Sequence, residues 1–481
     1  MHAISSAALQ AALDAGADYA DVRLLTETTE YLAARRGQVA AVALDEQTGI
    51  GIRVLAGGAW GWAASQHLDT DSLAAAARLA VANARACAPW RVRPVELAPE
   101  PAVTATWATP FRRAPESVPL DEKLELLVEV VRRAQERAGV AVASAYMDFR
   151  REQTWFCSSE GADLTQDLRF AGVGCDVTTV GPGGVQTRSY PHSWGQHIGG
   201  GYELVEDVDL LGHVDGVTGE ALALQEADAC PSGDWDLIIA PSQLCLQIHE
   251  SVGHPLELDR VLGGEANYAG TSFATPDGLG RLQYGSPLVN LTADATLPGG
   301  VATFGFDDEG VAAQRWPLVQ DGILTGYLSS REYAGAIGEQ RSRGAMRAEG
   351  WHNAPIVRMV NVSLEPGTDD LSLEDLIADT KRGLYLETNR SWSIDQRRVN
   401  FQFGCELAWE IRDGKRARLL RDPFYHGLTT EFWGSCDAIC GPAEWQQVGL
   451  NNCGKGQPAQ RAEMTHGSSP ARFRSVAVGT Q

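Results

Sequence analysis

The spacing of hydrophobic and polar positions changes several times along the chain. From Ser6 to Ala15 apolar residues recur with helical spacing, and the run stops at Gly16. From Asp21 to Ala64 they alternate with polar residues, interrupted at Arg36-Gly37 and Gly57-Gly58, which predicts an antiparallel β-meander. Helical spacing returns in the Ala-rich segment Ser72 to Ala88, whereas prolines between Pro89 and Pro119 recur too often for regular structure. Leu120 to Ala138 again reads as helix, strands are expected between Val140 and Thr187, and a further helix near Val214 to Ala227. Helix, meander, helix thus appears twice, as a duplicated unit or one composite α/β domain. Pro231-Ser232-Gly233 marks the next boundary. Beyond it, Trp235 to Ala240 reads as a buried strand and Pro241-Ser242 can start a helix. Most of the remainder is strand-like and rich in Gly, with one more helix opening at Ser372-Leu373-Glu374-Asp375, where Ser372 is a suitable N-cap.

These elements define an α+β protein. An N-terminal α/β domain of helices and antiparallel meanders comprises units 1–88 and 120–230 joined by a Pro-rich linker, 89–119. A C-terminal β-rich antiparallel domain, 231–481, holds the chemistry. Composition fits: 481 residues, 44% hydrophobic and 21% charged, bury sizeable cores without disulfide staples. The formal charge of −22 repels a phosphate backbone and argues against nucleic acid as the main partner. The start, Met1-His2-Ala3-Ile4, lacks a basic then apolar leader, and no stretch approaches the roughly 20 apolar residues of a membrane span, so a cytoplasmic protein is expected. Nine Cys are too sparse for a disulfide framework.

The strongest chemical signal is His249-Glu250-Ser251-Val252-Gly253-His254. Leu244, Ile248 and Val252 form the apolar stripe of a helix that would carry it. The two His are five residues apart, and on an ideal α-helix that separation turns the second about 140° from the first, so a regular helix cannot bring them together. Gly253 and Pro255 offer a remedy: they are expected to end the helix and drive His254 out of the α region, back toward His249. Two imidazoles suit zinc, and a catalytic zinc takes a third protein ligand and keeps an open position. Cys453, His426, His352, Asp307, Asp308 and Glu309 are candidates between which chemistry alone does not choose. Glu250, beside a ligand, fits a general base rather than a ligand. Two other readings are a pair of hydrogen-bonded structural histidines and a closed zinc site from Cys436, Cys440, Cys453 and a His. In the second, the three-residue gap between Cys436 and Cys440 is longer than such sites usually have.

Gly449-Leu450-Asn451-Asn452-Cys453-Gly454-Lys455-Gly456 resembles a phosphate-binding loop but lacks the final Ser or Thr, and Gln457-Pro458 breaks the helix that should follow. Its glycines are expected instead to place Cys453 on a tight, exposed turn near Lys455.

Taken together, the motifs resemble the TldD/PmbA family of metallopeptidases over most of the chain. Gly49-Ile50-Gly51-Ile52-Arg53-Val54 is similar to the family's first-domain strand pair. The histidine motif runs on into Pro255-Leu256-Glu257, Asp307-Asp308-Glu309-Gly310 precedes Asp321-Gly322-Ile323, Pro355 to Asn361 is followed by Pro366-Gly367, and Cys453-Gly454-Lys455 matches a late Cys-Gly-Lys element. After Lys455 a longer Gly-rich tail of the family is replaced by Gln457-Pro458-Ala459-Gln460-Arg461. The resemblance implies Zn2+ held by His249, His254 and Cys453, one ion per active subunit, with Glu250 as base. It also implies a dimer enclosing the cleft, either a homodimer or a heterodimer with a paralogous PmbA/TldE-like subunit, this chain being the motif-bearing, active type. Substrates would be unfolded or extended peptides, in peptide maturation or turnover, and Arg347 and Trp351 would lie near the cleft, Arg347 able to hold a carboxylate. The competing functions are a zinc amidase acting on a small biosynthetic amide and a non-catalytic, metal-stabilised partner subunit.

Overall fold

The computed structural model describes residues 1–480. β1 (Tyr19–Arg35) and β2 (Gln38–Ala56) form a long hairpin. Its turn, Arg36-Gly37, has positive φ at both residues (52° and 77°), the geometry whose twist matches paired strands. β3 (Ala59–Ser65) completes the meander. β5 (Val140–Ser158) and β6 (Asp163–Gly181) form a second long hairpin, and β5 pairs along β1 from Asp21↔Ser158 to Arg35↔Ser144. Strands from 1–88 and 120–230 therefore share one sheet, in the order β3-β2-β1-β5-β6 and then β4 (Thr104–Ala108), with β7 (Gly184–Tyr190) and β8 (Gln196–Gly199) also on β6. β4 is a correction: it lies in the Pro-rich stretch where no regular element was expected. The Pro-free run between Pro101 and Pro110 pairs parallel to β6 at the sheet edge, where neighbouring prolines are tolerated.

Helices cover this sheet in two groups. α1 (His2–Asp14) and α2 (Thr70–Cys87) bury Ala8, Ala12, Ala77 and Ala80 against Val22, Leu24, Ile50 and Ile52. α3 (Leu120–Gln135) and α5 (Leu210–Glu226), with the short α4 (Glu203–Val208) between them in the chain, bury Leu127, Val131, Val214 and Ala221 against Leu32, Ala145 and Val173.

The C-terminal part is built on a second sheet, in the order Arg382–Ile394, Gly233–Ile239, Ala471–Thr480, Pro423–Leu428, Asn400–Arg412, Lys415–Arg421 and Asp228–Ala229. Gly233–Ile239 lies inside it, parallel to one neighbour and antiparallel to the other. Leu237 and Ile239 enter the main core while Ile238 and Ala240 enter a second one, so both faces are buried and the strand reads as a continuous apolar run. Ser372 does cap its helix, Leu373–Ala378: its hydroxyl accepts the Asp375 N–H at 3.1 Å, and Asp375 reciprocates.

Charged and aromatic contacts join the two parts. Arg23 pairs with Asp308 at 2.8 Å, and Arg53 bridges Asp21 at 2.6 Å and Glu309 at 3.0 Å, all on buried guanidiniums. Trp351 lies flat enough on β2 that a Cβ at Gly49 would sit 2.1 Å from its ring. A cavity of about 100 Å³ at the junction is lined by Arg150, Glu152, Asp308, Arg347 and Glu463 among others. No helix among the described residues is long and apolar enough to cross a membrane.

Candidate metal centre

α6 (Pro241–Ile248) follows the buried strand directly, with Pro241 in its first turn, and Leu244, Ile248 and Val252 are completely buried. At His249–Gly253 the helix widens into a π-helical turn, and the N–H of His254 donates to the carbonyl of His249, five residues back. This corrects the expected helix break. His254 keeps right-handed helical dihedrals (φ −60°, ψ −43°), and so does Gly253. One extra residue fits within the turn, so an i, i+5 pair takes the place an i, i+4 pair has on an α-helix. Local chemistry accounts for the widening. In an α-helix the Ser251 carbonyl would receive the N–H of residue 255, but Pro255 has none, and the Tyr284 hydroxyl donates to that carbonyl instead. The Ser251 hydroxyl bonds back to the Gln247 carbonyl at 2.5 Å. Gly253 leaves room for Met359, whose sulfur would lie 1.9 Å from any added Cβ. The His249 and His254 rings end 4.7 Å apart, centre to centre.

Cys453 arrives on strand Gln446–Lys455, paired with Gln460–Ser468 and opposite Ala462. Its sulfur lies 3.4 Å from His254 Nε2, and one donor atom from each of His249, His254 and Cys453 falls within 4.8 Å of the others. Cys453 is thus buried in a strand and not on an exposed turn; the turn comes after it, at Gly456. The hairpin also disposes of the phosphate-loop likeness, since no helix follows. Lys455 makes no hydrogen bond to the thiol; it donates to Asp259 at 2.8 Å and to the Val357 carbonyl at 2.6 Å.

The other ligand candidates are occupied elsewhere. Asp307 accepts the N–H groups of Glu309, Val311 and Met346, while Asp308 and Glu309 hold the junction arginines. His426 is exposed and stacks on Phe424, and His352 packs edge-on against Trp351. Burial pushes the Cys436 and Cys440 thiols each up to about 12, the state of inert core cysteines, and the metal-competent group among the described residues includes neither.

A supporting layer sets the protons. His466 Nδ1 is 2.8 Å from the Val362 carbonyl, which can only accept, so the proton is assigned there and His466 Nε2 is an acceptor. His249 Nδ1, 2.9 Å from that nitrogen, must then donate, which leaves His249 Nε2 bare. His254 Nδ1 donates to Glu257 at 3.0 Å, leaving its Nε2 bare as well. Glu257 also accepts the Met359 N–H at 3.2 Å and meets Lys455 at 3.3 Å. Burial brings His249 down to about 4 despite the pull of Glu250 and Glu257, so it is a neutral imidazole at ordinary pH. Burial alone would raise Glu257, but Lys455 and His254 outweigh it and hold the carboxyl far below its usual range. For Cys453, burial opposes the thiolate; a protonated His254 and, behind it, Arg358 pull the other way, so the thiol is more acidic than usual while that imidazole carries a charge.

Glu250 forms a buried ion pair with Arg398. Burial would raise its pKa; His254, Arg398 and His249 together lower it. Arg398, His466 and Glu257 were not singled out as site residues from sequence. Glu257 had a signal, three residues after His254 within the extended motif, whereas Arg398 and His466 had none in the local pattern. Arg347 donates to the Met359 carbonyl at 2.9 Å and the Glu463 carbonyl at 2.6 Å and lines the junction cavity, and Trp351 is packed on β2.

Two bare imidazole nitrogens, a buried thiol and a neighbouring carboxylate, held on an α+β frame, are the kind of donor set and base that a metal-dependent hydrolase uses. The comparisons make this specific. The PmbA/TldA metallopeptidase C-terminal domain matches residues 232–479, and domain 1 of the same metallopeptidases matches residues 20–84. A metalloprotease of Methanothermobacter thermautotrophicus is 30% identical, over 96% of this chain and 95% of its own. A zinc metalloprotease TldD homolog of Saccharolobus solfataricus is 23% identical over 52% of each chain. The crystal structure of TldE from Thermococcus kodakarensis shares the fold, with a TM-score of 0.72 at 16% identity, over 99% of this chain and 100% of that one. The chain belongs to the TldD/PmbA family of metallopeptidases. It is a hydrolase of the protease class.

Proposed function

We propose that this protein is a zinc-dependent peptidase, acting in the cytoplasm on unfolded or extended peptides, with His249, His254 and Cys453 as ligands to one Zn2+ and Glu250 as general base. The observation that carries this reading is the convergence of the three donors on one buried point. A tetrahedral zinc with N and S ligands separates its donors by about 3.3–3.6 Å, from bond lengths of about 2.0–2.3 Å, and the 3.4 Å between Cys453 and His254 fits. When bound, zinc would acidify a water and polarise the scissile carbonyl. The chain's own groups do the rest. His466 and Glu257 hold the two imidazoles in the ligating tautomer, the Cys453 thiolate offsets part of the ionic charge, and Glu250 takes a proton at the attacking oxygen and returns it to the leaving amine.

The near-complete burial of all four side chains keeps a folded protein from the donors, which supports an extended substrate. Such a peptide can satisfy its backbone along a strand edge with little regard to sequence. The cleft would be enclosed by a second subunit, either another copy or a paralogue of TldE type.

The test is zinc content and hydrolysis of an unfolded polypeptide by wild type and Glu250→Gln, alone and with a co-encoded paralogue. Zinc retained with hydrolysis lost in the variant is expected. Full activity in Glu250→Gln, or no cleavage by wild type in either preparation, refutes the reading.

A further inference from the structure

We propose that Arg398 is the positioning residue of Glu250: it binds one carboxylate oxygen, fixing the rotamer of the side chain, and leaves the other oxygen to handle the proton. This rests on the peptidase reading above.

Three observations carry it. Arg398 Nη1 contacts Glu250 Oε2, and among the described residues no hydrogen bond engages Oε1. The guanidinium has no competing anchor, since its Nε is buried without a hydrogen-bond partner. The third is the backbone. Arg398 has φ +64°, a left-handed conformation that costs a residue with a Cβ and that Gly or Asn adopts more easily. It sits in the turn joining strands Arg382–Ile394 and Asn400–Arg412, and contacts on several sides impose that conformation. The Arg398 N–H donates to the Asp395 carbonyl at 3.0 Å, the Arg398 carbonyl accepts the Thr429 hydroxyl at 2.7 Å, and the Arg397 carbonyl accepts the Phe273 N–H at 3.1 Å. A strained residue over-determined by its surroundings, whose side chain ends on one carboxylate, points to a constraint on that carboxylate.

Rotamer control is needed because Glu250 lies in the π-helical turn, between the two residues whose imidazoles converge with Cys453 on one point. Without Arg398 the carboxylate can swing toward either the histidines or the metal. A ligated base no longer accepts a proton.

The experiment is a cycle of Arg398→Ala, Glu250→Gln and the double variant, with rates expressed per bound zinc. Arg398→Ala is expected to lower kcat by about 10- to 100-fold with KM little changed. Arg398→Lys should recover part of the loss, and guanidinium added to Arg398→Ala should restore turnover in a saturable way. The double variant should be no slower than Glu250→Gln. Unchanged kcat, a loss carried by KM or zinc content, or additive losses would each overturn the proposal. A second readout needs no turnover: thermal unfolding of the zinc-free chains, where coupled substitutions give non-additive shifts. Additive shifts would show that the contact is absent in solution. If wild type cleaves nothing, the peptidase reading fails, while the zinc-free cycle still decides whether Arg398 holds Glu250.

Discussion

Replacing His466 by Phe removes the acceptor behind His249 while roughly preserving ring volume. His466 is fully buried, so no water replaces it easily, and the Nδ1–H of His249 loses its 2.9 Å partner. An unsatisfied buried donor costs about 1–3 kcal/mol. The imidazole can escape part of that by moving its proton to Nε2, but that nitrogen is then blocked as a ligand. Either route weakens zinc binding, and loss of such a supporting hydrogen bond typically costs about 10- to 100-fold, or about 1.4–2.7 kcal/mol at 1.36 kcal/mol per tenfold. His466→Gln, whose amide offers an oxygen to His249 and an N–H to Val362, should lose clearly less. The assay is competition for zinc against a chromophoric chelator, with circular dichroism to confirm the fold. Zinc affinity in His466→Phe within about twofold of wild type would refute the proton assignment and the role of His466 with it.

Cys453→Ser should weaken zinc binding by more than about tenfold, because a hydroxyl is a much poorer zinc ligand than a thiolate; unchanged affinity in the same assay removes Cys453 from the site. Gly253→Ala forces a methyl into the space of Met359, an overpacking worth about 1–3 kcal/mol in urea unfolding, and Met359→Ala in the same chain should relieve part of it; a neutral Gly253→Ala contradicts the packing account of the π-turn. Glu152 is raised to about 7, first by burial and then by Glu27 and Glu463, against the pull of Arg150. A carboxyl whose folded pKa lies above its ordinary value of 4.5 stabilises the fold fully below that value, and the benefit is lost as pH rises toward 7. Glu152→Gln should therefore flatten the stability profile over that window. The gain at alkaline pH is at most about 3 kcal/mol, reduced by the cavity beside the side chain, and a profile identical to wild type would count against a buried, perturbed Glu152.

The elements and the centre of the site could be read from the sequence where the signal is local. Long alternating runs marked the two N-terminal hairpins, the unbroken apolar stretch before Pro241 marked a strand buried on both faces, and Ser372 marked its helix start. The pairing of His249 with His254 was also legible, but its geometry was not. Gly253 and Pro255 are helix-ending residues by local preference, and only Tyr284 and Met359, far along the chain, allow the backbone to stay helical with a wider turn. Cys453 illustrates the same limit. Glycines around it favour a turn, whereas pairing with 460–468 makes a strand, and its choice as third ligand came from family resemblance alone. His466 and Arg398 act across distances in sequence that no local pattern spans.

The position of Gly233–Ile239 beside Ala471–Thr480 has a consequence for how the enzyme is made. The strand that launches α6 cannot complete its pairing until residues 471–478 exist, and His254 waits for Cys453, 199 residues later. At about 5–20 residues per second of synthesis, that interval is roughly 10–40 s. Through that time the nascent chain carries the two histidines and Glu250 without the thiol that finishes the site. Until Cys453 has been made and paired into its strand, the donor group is two imidazoles lacking their sulfur, so the geometry of the site is among the last things the folding chain acquires.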